Sequence, residues 1–182
     1  LPYKSILQDR IEFKSGNRAW HLLHRAREEQ IVTLPKIVAP QRSPINTFAY
    51  NEIPWFASAD VYFITAPDLE INQAKYELKY ILALLNSKLY YHWFYHMGKR
   101  KGESLELYAT PLAETVIYDA MKPQKDEFVS LVDEVLMITQ QDDYIKDGLK
   151  QERVKLLQKQ IDKLVYELYE LTTEEIALIE SN

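Results

Sequence analysis

Three adjacent cations, Lys99, Arg100 and Lys101, stand between two of the four glycines of this 182-residue chain. Glycine frees the backbone, and Lys and Arg side chains neutralise phosphates and release the counterions condensed on DNA. The segment from Gly98 to Gly102 is therefore predicted to be a short, pliable, basic loop that contacts a phosphate backbone. The alternative is a solvated surface turn, since runs of charge commonly face water.

A second group of polar residues lies in predicted loops and can form hydrogen bonds to the edges of bases. Arginine pairs with guanine, and Asn or Gln with adenine, in the major groove of DNA. The same residue types are also ordinary in turns. The group consists of Gln41, Arg42, Ser43, Asn46 and Asn51.

Two constellations resemble metal sites, and neither is complete. His92 and His96 are four residues apart on a predicted helix, but no carboxylate lies between them and two ligands do not make a site. Asp68, Glu77 and Lys79 have the spacing of magnesium-dependent nucleases. That chemistry normally needs the second acid and the lysine on a strand, whereas Glu77 and Lys79 fall in a predicted helix and point about 200° apart.

No other catalytic pattern is present in the sequence. The chain has no cysteine, no glycine-rich phosphate loop and no Gly-x-Ser-x-Gly motif. The absence of cysteine fits a reducing compartment. We therefore predict that this chain has no catalytic centre, no metal and no cofactor of its own.

The net charge of −5 is unevenly distributed along the chain. Residues 1–110 contain 14 Lys and Arg against 11 Asp and Glu, a net of +3, whereas residues 111–182 contain 8 against 16, a net of −8. A basic body permits DNA binding, and an acidic tail indicates a different role for the C-terminal part. No apolar run reaches membrane-spanning length, so no membrane partner is predicted. Because the chain begins Leu1-Pro2, we expect it to be a piece of a longer polypeptide.

Hydrophobic patterns predict the elements that position these residues. Strands rich in β-branched and aromatic residues are predicted at 11–14, 36–39, 47–50, 61–65, 105–108 and 115–118. Helices are predicted at 20–31 and 72–97, the second ended by Gly98. The fold class is therefore α+β: a small twisted sheet with a long central helix, followed by a C-terminal helical hairpin.

The C-terminal part is predicted to be helical from residue 124, with a break at 140–148. In its second helix, apolar residues recur at spacings of three and four, which is typical of a helix that buries a narrow seam against another helix. We favour an antiparallel hairpin with the preceding helix; a partner subunit, including a second copy of this chain, or a missing catalytic domain is the alternative. Thr172 and Glu175 form a capping box that predicts a final short helix. The seam residues are Val154, Leu157, Ile161, Leu164, Leu168 and Leu171.

Five short motifs follow one another in a fixed order along the chain. They run from Lys36 to Ser43, from Ile53 to Ser58, from Leu84 to Lys88, from Gly98 to Tyr108, and over Pro111-Leu112. Together they resemble the TaqI-like C-terminal specificity domain of bacterial restriction-modification adenine-N6 DNA methyltransferases, including fused type IIG enzymes. The tail over 161–172 is similar to the usual ending of such proteins.

The resemblance implies a cytoplasmic protein whose partners are double-stranded DNA and a methyltransferase domain upstream of this chain. That upstream domain would bind S-adenosylmethionine and hold the flipped adenine with an Asn-Pro-Pro-Tyr-type motif, and no two prolines are adjacent here. We therefore predict a DNA target-recognition domain at 1–120 and a helical region at 121–182. The predicted DNA-binding residues are Lys36, Gln41, Arg42, Ser43, Asn46, Asn51, Lys99, Arg100 and Lys101.

Two other functions stay open at the level of the sequence. One is a helical protein-interaction module of a restriction-modification complex, and the other is a magnesium-dependent nuclease that uses Asp68. The sequence recognised on DNA does not follow from the resemblance, because recognition loops vary with the target in such families.

Overall fold

Two small antiparallel sheets and a set of helices form the structure, a computed structural model that describes residues 2–16, 19–21, 29–58 and 60–181. The helices described are α1 (Lys4–Gln8), α2 (Ile11–Lys14), α3 (Glu29–Thr33), α4 (Ile71–Leu85), α5 (Lys88–Met97), α6 (Ala109–Ala113), α7 (Lys122–Thr139), α8 (Gly148–Leu168) and α9 (Thr173–Glu180). The strands are β1 (Lys36–Pro40), β2 (Arg42–Ser43), β3 (Ala49–Asn51), β4 (Val61–Ile64), β5 (Lys99–Lys101) and β6 (Ser104–Glu106).

The strands of the two sheets are interleaved along the chain, and the sheets are joined at one residue, Gln41, between β1 and β2. The first sheet has the order β3-β1-β4 and the second the order β2-β6-β5. The N–H of Gln41 donates to the carbonyl of Asp60 beside the first sheet (2.8 Å), and its carbonyl accepts from the N–H of Leu107 beside the second (2.8 Å). The orientation of the second sheet is thus fixed by backbone hydrogen bonds to the first.

One hydrophobic core extends from the first sheet through α4 into the C-terminal helices. Ile37 of β1, Leu78 and Tyr80 of α4, Phe128 of α7 and Val165 of α8 are all almost fully buried and belong to one cluster. The rings of Tyr80 and Phe128 meet edge to face, with centroids 5.6 Å apart. The predicted fold class is confirmed, with two sheets in place of one.

The long helix predicted at 72–97 is divided into two helices, α4 and α5. The side chains of Asn86 and Ser87 form hydrogen bonds with backbone groups that interrupt it. The Asn86 side chain accepts from the N–H of Phe48 (2.8 Å) and donates to the carbonyl of Phe48 (3.0 Å). Ser87 has extended backbone angles, and its hydroxyl accepts from the N–H of Tyr90 as the N-cap of α5. Asn and Ser side chains often compete with helical hydrogen bonding in this way.

The C-terminal hairpin forms as predicted and is antiparallel. Near the turn, Arg153 of α8 pairs with Glu134 of α7 (2.5 Å), while Asp126 near the start of α7 and Glu167 near the end of α8 line one groove. The seam is covered within this chain, and Leu171 lies beyond the end of α8. Leu164 is half-buried, and the seam residues buried there are Val154, Leu157, Ile161 and Leu168.

The hairpin also holds the N-terminus of α5, the helix that leads into the basic segment. Buried Asp162 of α8 accepts from the backbone N–H of Lys88 (2.8 Å), and the Lys88 ammonium pairs with Glu180 of α9. Burial raises the pKa of Asp162, and the hydrogen bond from Lys88 opposes that shift. The hydroxyls of Tyr90 and Tyr169 are 2.7 Å apart. The position of α5 therefore depends on α8 and α9.

The strand predicted at 115–118 is wrong, because tyrosine side chains take the place of a partner strand. The hydroxyl of Tyr90 donates to the carbonyl of Val116 (2.7 Å), and the hydroxyl of Tyr80 donates to the carbonyl of Tyr118 (2.5 Å). With these carbonyls satisfied, the segment packs on the core through half-buried Ile117 without joining a sheet, and Val116 and Tyr118 are exposed.

Other differences lie near the N-terminus. The strand predicted at 11–14 is the short helix α2, in which the N–H groups of Phe13 and Lys14 donate back to the carbonyl of Arg10 (3.1 Å each). Of the helix predicted at 20–31, α3 covers the end, and residues 22–28 lie outside the described residues. Among the residues described, no helix has the length and apolar character needed to cross a membrane.

Candidate nucleic-acid interface

The second sheet brings Arg42 beside the basic segment, although the two are far apart in sequence. Residues 99–101 form the edge strand β5 of a hairpin with β6, so the predicted loop is wrong. Gly102 has φ +62 at the turn, a left-handed angle that suits glycine. On the other side of β6, Arg42 of β2 pairs with Glu106 in register. The sheet thus collects cations from two separate segments.

Strand geometry divides the three adjacent cations between two faces of this sheet, because side chains alternate along a strand. Lys99 is opposite Glu106, and Arg100 is opposite Leu105, which is 1% exposed and faces the core. The guanidinium carbon of Arg100 lies 4.0 Å from the centroid of the Tyr95 ring. Lys99 and Lys101 therefore share the opposite, outer face, whereas Arg100 packs against α5.

We define the outer face as the side of the β2-β6-β5 sheet that carries Arg42, Lys99, Lys101, Ser104 and Glu106. Within the part of the chain that the structure describes, Lys99 and Lys101 form no ion pair, and both are exposed. Their ammonium groups are consequently available to a ligand. The outer face has three cations and one carboxylate.

Arg42, Glu106 and Tyr108 form a closed set of hydrogen bonds on the outer face. Arg42 Nε donates to Glu106 Oε1 (3.2 Å), and Arg42 Nη2 donates to the Tyr108 hydroxyl (3.0 Å). The same hydroxyl donates to Glu106 Oε1 (3.2 Å). The hydrogen bond from Arg42 to Tyr108 raises the pKa of the guanidinium, which stays charged. One edge of Arg42 is therefore held in place.

Lys36 and Asn51 lie on the first sheet, away from the outer face. Lys36 is fully buried; its ammonium donates to the carbonyl of Ile53 (3.2 Å) and to Asn51 Oδ1 (3.4 Å) and lies 5.7 Å from the centroid of the Phe63 ring. Burial lowers the pKa of Lys36. These contacts give Lys36 a role in the interior of the protein.

Asn46 is buried and connects the loop after β2 to the break between α4 and α5. Its Nδ2 donates to the carbonyls of Leu85 (2.7 Å) and Ser87 (2.8 Å). It therefore satisfies the carbonyl of Leu85 at the end of α4. The carbonyl of Ser87 also accepts from the N–H of Tyr91 (3.0 Å). Asn46 and Asn86 together hold the two segments against each other, each through backbone groups of the other segment.

We expect Asn46→Ala to lower the free energy of unfolding by about 1–3 kcal/mol, because the carbonyl of Leu85 loses its side-chain donor. The preference of the variant among DNA sequences should stay unchanged, since the side chain of Asn46 points into the protein. Chemical denaturation and DNA binding below the unfolding transition measure the two effects. Exposed Asn72→Ala on α4 is the matched control, with an expected change within about 0.5 kcal/mol. Intact stability with an altered base preference would show that Asn46 reads DNA.

Gln41 and Ser43 flank Arg42 and are half-buried. The backbone of Gln41 joins the sheets, and Ser43 is opposite Leu105 on the inner face. Of the predicted candidates, the structure therefore brings Arg42, Lys99 and Lys101 together on one face.

A family profile, the TaqI-like C-terminal specificity domain, matches residues 4–113. The match covers both sheets, α4, α5 and the whole outer face. This chain belongs to that family. Its membership supports a DNA target-recognition role in restriction-modification methyltransferases. No curated protein matches the chain significantly.

Contacts within the specificity domain explain two of the motifs that carried the resemblance. Residues 84–88 contain the helix break, in which Asn86 fixes Phe48 and Ser87 caps α5. Residues 98–108 contain the β5-β6 hairpin and end at Tyr108, the residue that holds Arg42. The first motif therefore supports the interior, and the second builds the outer face.

Of the residues considered for metal chemistry, Asp68 is exposed on the loop before α4, and the other four have partners within the protein. Glu77 pairs with Lys125 (2.9 Å) and Lys79 with Asp133 (2.6 Å), so both join α4 to α7. The rings of His92 and His96 are in tilted contact, with centroids 4.3 Å apart. Burial, and to a lesser extent the charge of His96, lowers the pKa of His92. Among the described residues, no group of three or more His, Cys, Asp or Glu side chains is arranged to hold a metal ion.

Sequence reasoning missed Glu106, Tyr108 and Tyr95. A signal for the first two was present: in the predicted strand at 105–108, Leu105 and Leu107 alternate with Glu106 and Tyr108, which places the polar pair on the exposed side. The partner of Glu106 was not visible, because Arg42 is 64 residues away in the sequence.

Proposed function

We propose that this specificity domain recognises a particular sequence in double-stranded DNA on behalf of an adenine-N6 DNA methyltransferase. The observation that carries the proposal is the outer face, where Arg42, Lys99 and Lys101 lie on one small sheet inside the region that matches the family. A short β-ribbon of this kind fits the major groove of B-DNA.

Lys99 and Lys101 serve as the phosphate contacts. They lie two residues apart on an edge strand, so their Cα atoms are separated by about 7 Å along the strand. Exposed lysines without internal partners can neutralise phosphates at little cost in lost protein contacts. Phosphate contacts fix the register of a protein on DNA, and base contacts then supply specificity. Arg42 is the side chain of the outer face suited to a base contact.

Methyl transfer belongs to a separate domain in this proposal. That domain would bind S-adenosylmethionine and accept the adenine after it leaves the helix. Unpairing and unstacking a base costs a few kcal/mol, so the duplex must be held firmly while the base is extruded. The specificity domain supplies this hold and the choice of site, and it has no catalytic step of its own.

A salt titration tests the proposal. The affinity of the chain for a labelled duplex of about 25 bp is measured by fluorescence anisotropy between about 50 and 300 mM KCl. Two phosphate contacts alone predict that log Kd rises with log salt with a slope of about 2 or more. A protein-interaction module would show no salt-dependent DNA affinity, and that result would contradict the proposal. Supercoiled plasmid cut in the presence of magnesium would instead favour the nuclease.

A further inference from the structure

The guanidinium of Arg42 is held by hydrogen bonds along one edge only. Its other edge can therefore bind a ligand, in an orientation that the protein fixes. The side edge, made by Nε and one N–H of Nη2, is occupied by Glu106 and Tyr108. An arginine has five N–H donors in a planar fork. The end edge, made by Nη1 and the second N–H of Nη2, has no hydrogen-bond partner among the described residues. Its side chain is 47% exposed, whereas that of Glu106 is 15% exposed.

We propose that Arg42, positioned by Glu106 and Tyr108, reads a guanine in the target sequence through this end edge. The inference rests on the proposed function and names the base that the outer face recognises. Two parallel N–H donors match the O6 and N7 acceptors of guanine in the major groove, the commonest specific contact between arginine and a base. No other base offers two acceptors side by side on that edge.

The carboxylate of Glu106 favours a base contact over a phosphate contact. It neutralises the charge of Arg42 locally, which weakens long-range attraction to any phosphate but leaves the directional donors of the end edge in place. Tyr108 donates to the same carboxylate and accepts from Arg42, so all three groups are fixed relative to β6. A side chain ordered before binding loses less conformational entropy on binding.

The register of the sheet places this reader beside the phosphate contacts. Glu106 of β6 is opposite Arg42 on one side and opposite Lys99 on the other. Neighbouring strands lie about 4.8 Å apart, so the backbones at Arg42 and Lys99 are separated by about 10 Å. Lysines on one edge strand can therefore hold a DNA backbone while the arginine on the other edge strand extends into the groove.

Parallel selections from a random duplex pool test the inference. The wild-type chain, Arg42→Ala, Arg42→Lys, Glu106→Gln and Tyr108→Phe are each used to retain DNA at low salt, and the retained DNA is sequenced. Thermal unfolding of each variant confirms that it is folded. The wild-type motif is expected to contain a fully specified G·C pair, and Arg42→Ala should reduce discrimination at that pair alone by about 5- to 150-fold.

The other variants separate positioning from charge. Arg42→Lys should lose the same discrimination, because lysine is a point charge without a planar fork. Glu106→Gln and Tyr108→Phe should weaken discrimination at that position while affinity for unrelated duplex stays equal or rises. A uniform loss of affinity in Arg42→Ala would mean a phosphate contact and would overturn the inference, as would an unchanged motif. If the wild-type chain retains no DNA, the proposed function fails and the inference fails with it.

Discussion

Charge reversal of the two outer-face lysines, K99E/K101E, is expected to weaken binding to every duplex sequence by about 100-fold or more at low salt. Each lysine contributes one phosphate contact in the proposed complex, and reversal replaces attraction by repulsion. The slope of log Kd against log salt should also fall by about 2, one for each lost contact. Anisotropy titrations on cognate and unrelated duplexes measure both quantities.

A matched control for this variant lies on α8. K155E/K163E makes the same change in net charge on α8, where both lysines are exposed and neither belongs to the second sheet. We expect its DNA affinity to change by less than about threefold, because exposed charges beyond the Debye length are largely screened. Equal losses in the two double variants would mean that total charge, and not the outer face, governs binding.

Phe128→Ala is expected to destabilise the whole chain by about 3–5 kcal/mol. Phe128 is 2% exposed and packs against Tyr80 of α4, so its removal leaves a cavity between the hairpin and the helix that supports the first sheet. A typical domain has about 5–15 kcal/mol of stability in total. We therefore expect a large fall in the unfolding midpoint, together with loss of DNA binding at temperatures where the wild type still binds.

Two optical signals measure this loss in different parts of the chain. The three tryptophans, Trp20, Trp55 and Trp93, all precede the hairpin, whereas far-ultraviolet circular dichroism reports helices throughout. Because one core joins both parts, the two transitions should coincide and shift together. Exposed Met137→Ala on α7 is the control, with a change within about 0.5 kcal/mol. A shift in circular dichroism alone would show that 121–182 unfolds as a separate unit.

Hydrophobic periodicity predicted correctly the elements whose formation depends on local sequence. β1 and β4, α7, α8 and the capping box of α9 all appear where apolar spacing and capping residues indicated them. Where a distant side chain determines the backbone, local patterns failed. Asn86 divides the central helix through a contact with Phe48, 38 residues away, and tyrosine hydroxyls replace strand pairing near Val116.

The candidate site was visible as residue types and not as an arrangement. The sequence showed three adjacent cations, but only the strand geometry of β5 separates Arg100, stacked on Tyr95, from Lys99 and Lys101. The role of Arg42 depends likewise on a register that places it beside Glu106. Cross-strand partners of this kind are set by tertiary pairing, which the spacing of residues along one segment does not encode.

Selection of the wild-type chain against a random duplex pool is the most direct measurement of the central claim, sequence-specific DNA recognition. We predict that sequencing of the retained DNA yields one enriched motif, and that duplexes carrying it bind more tightly than scrambled duplexes at every salt concentration. Retained DNA with the composition of the starting pool would contradict base reading by this chain. No retained DNA at about 50 mM salt, where phosphate contacts are strongest, would contradict DNA recognition altogether.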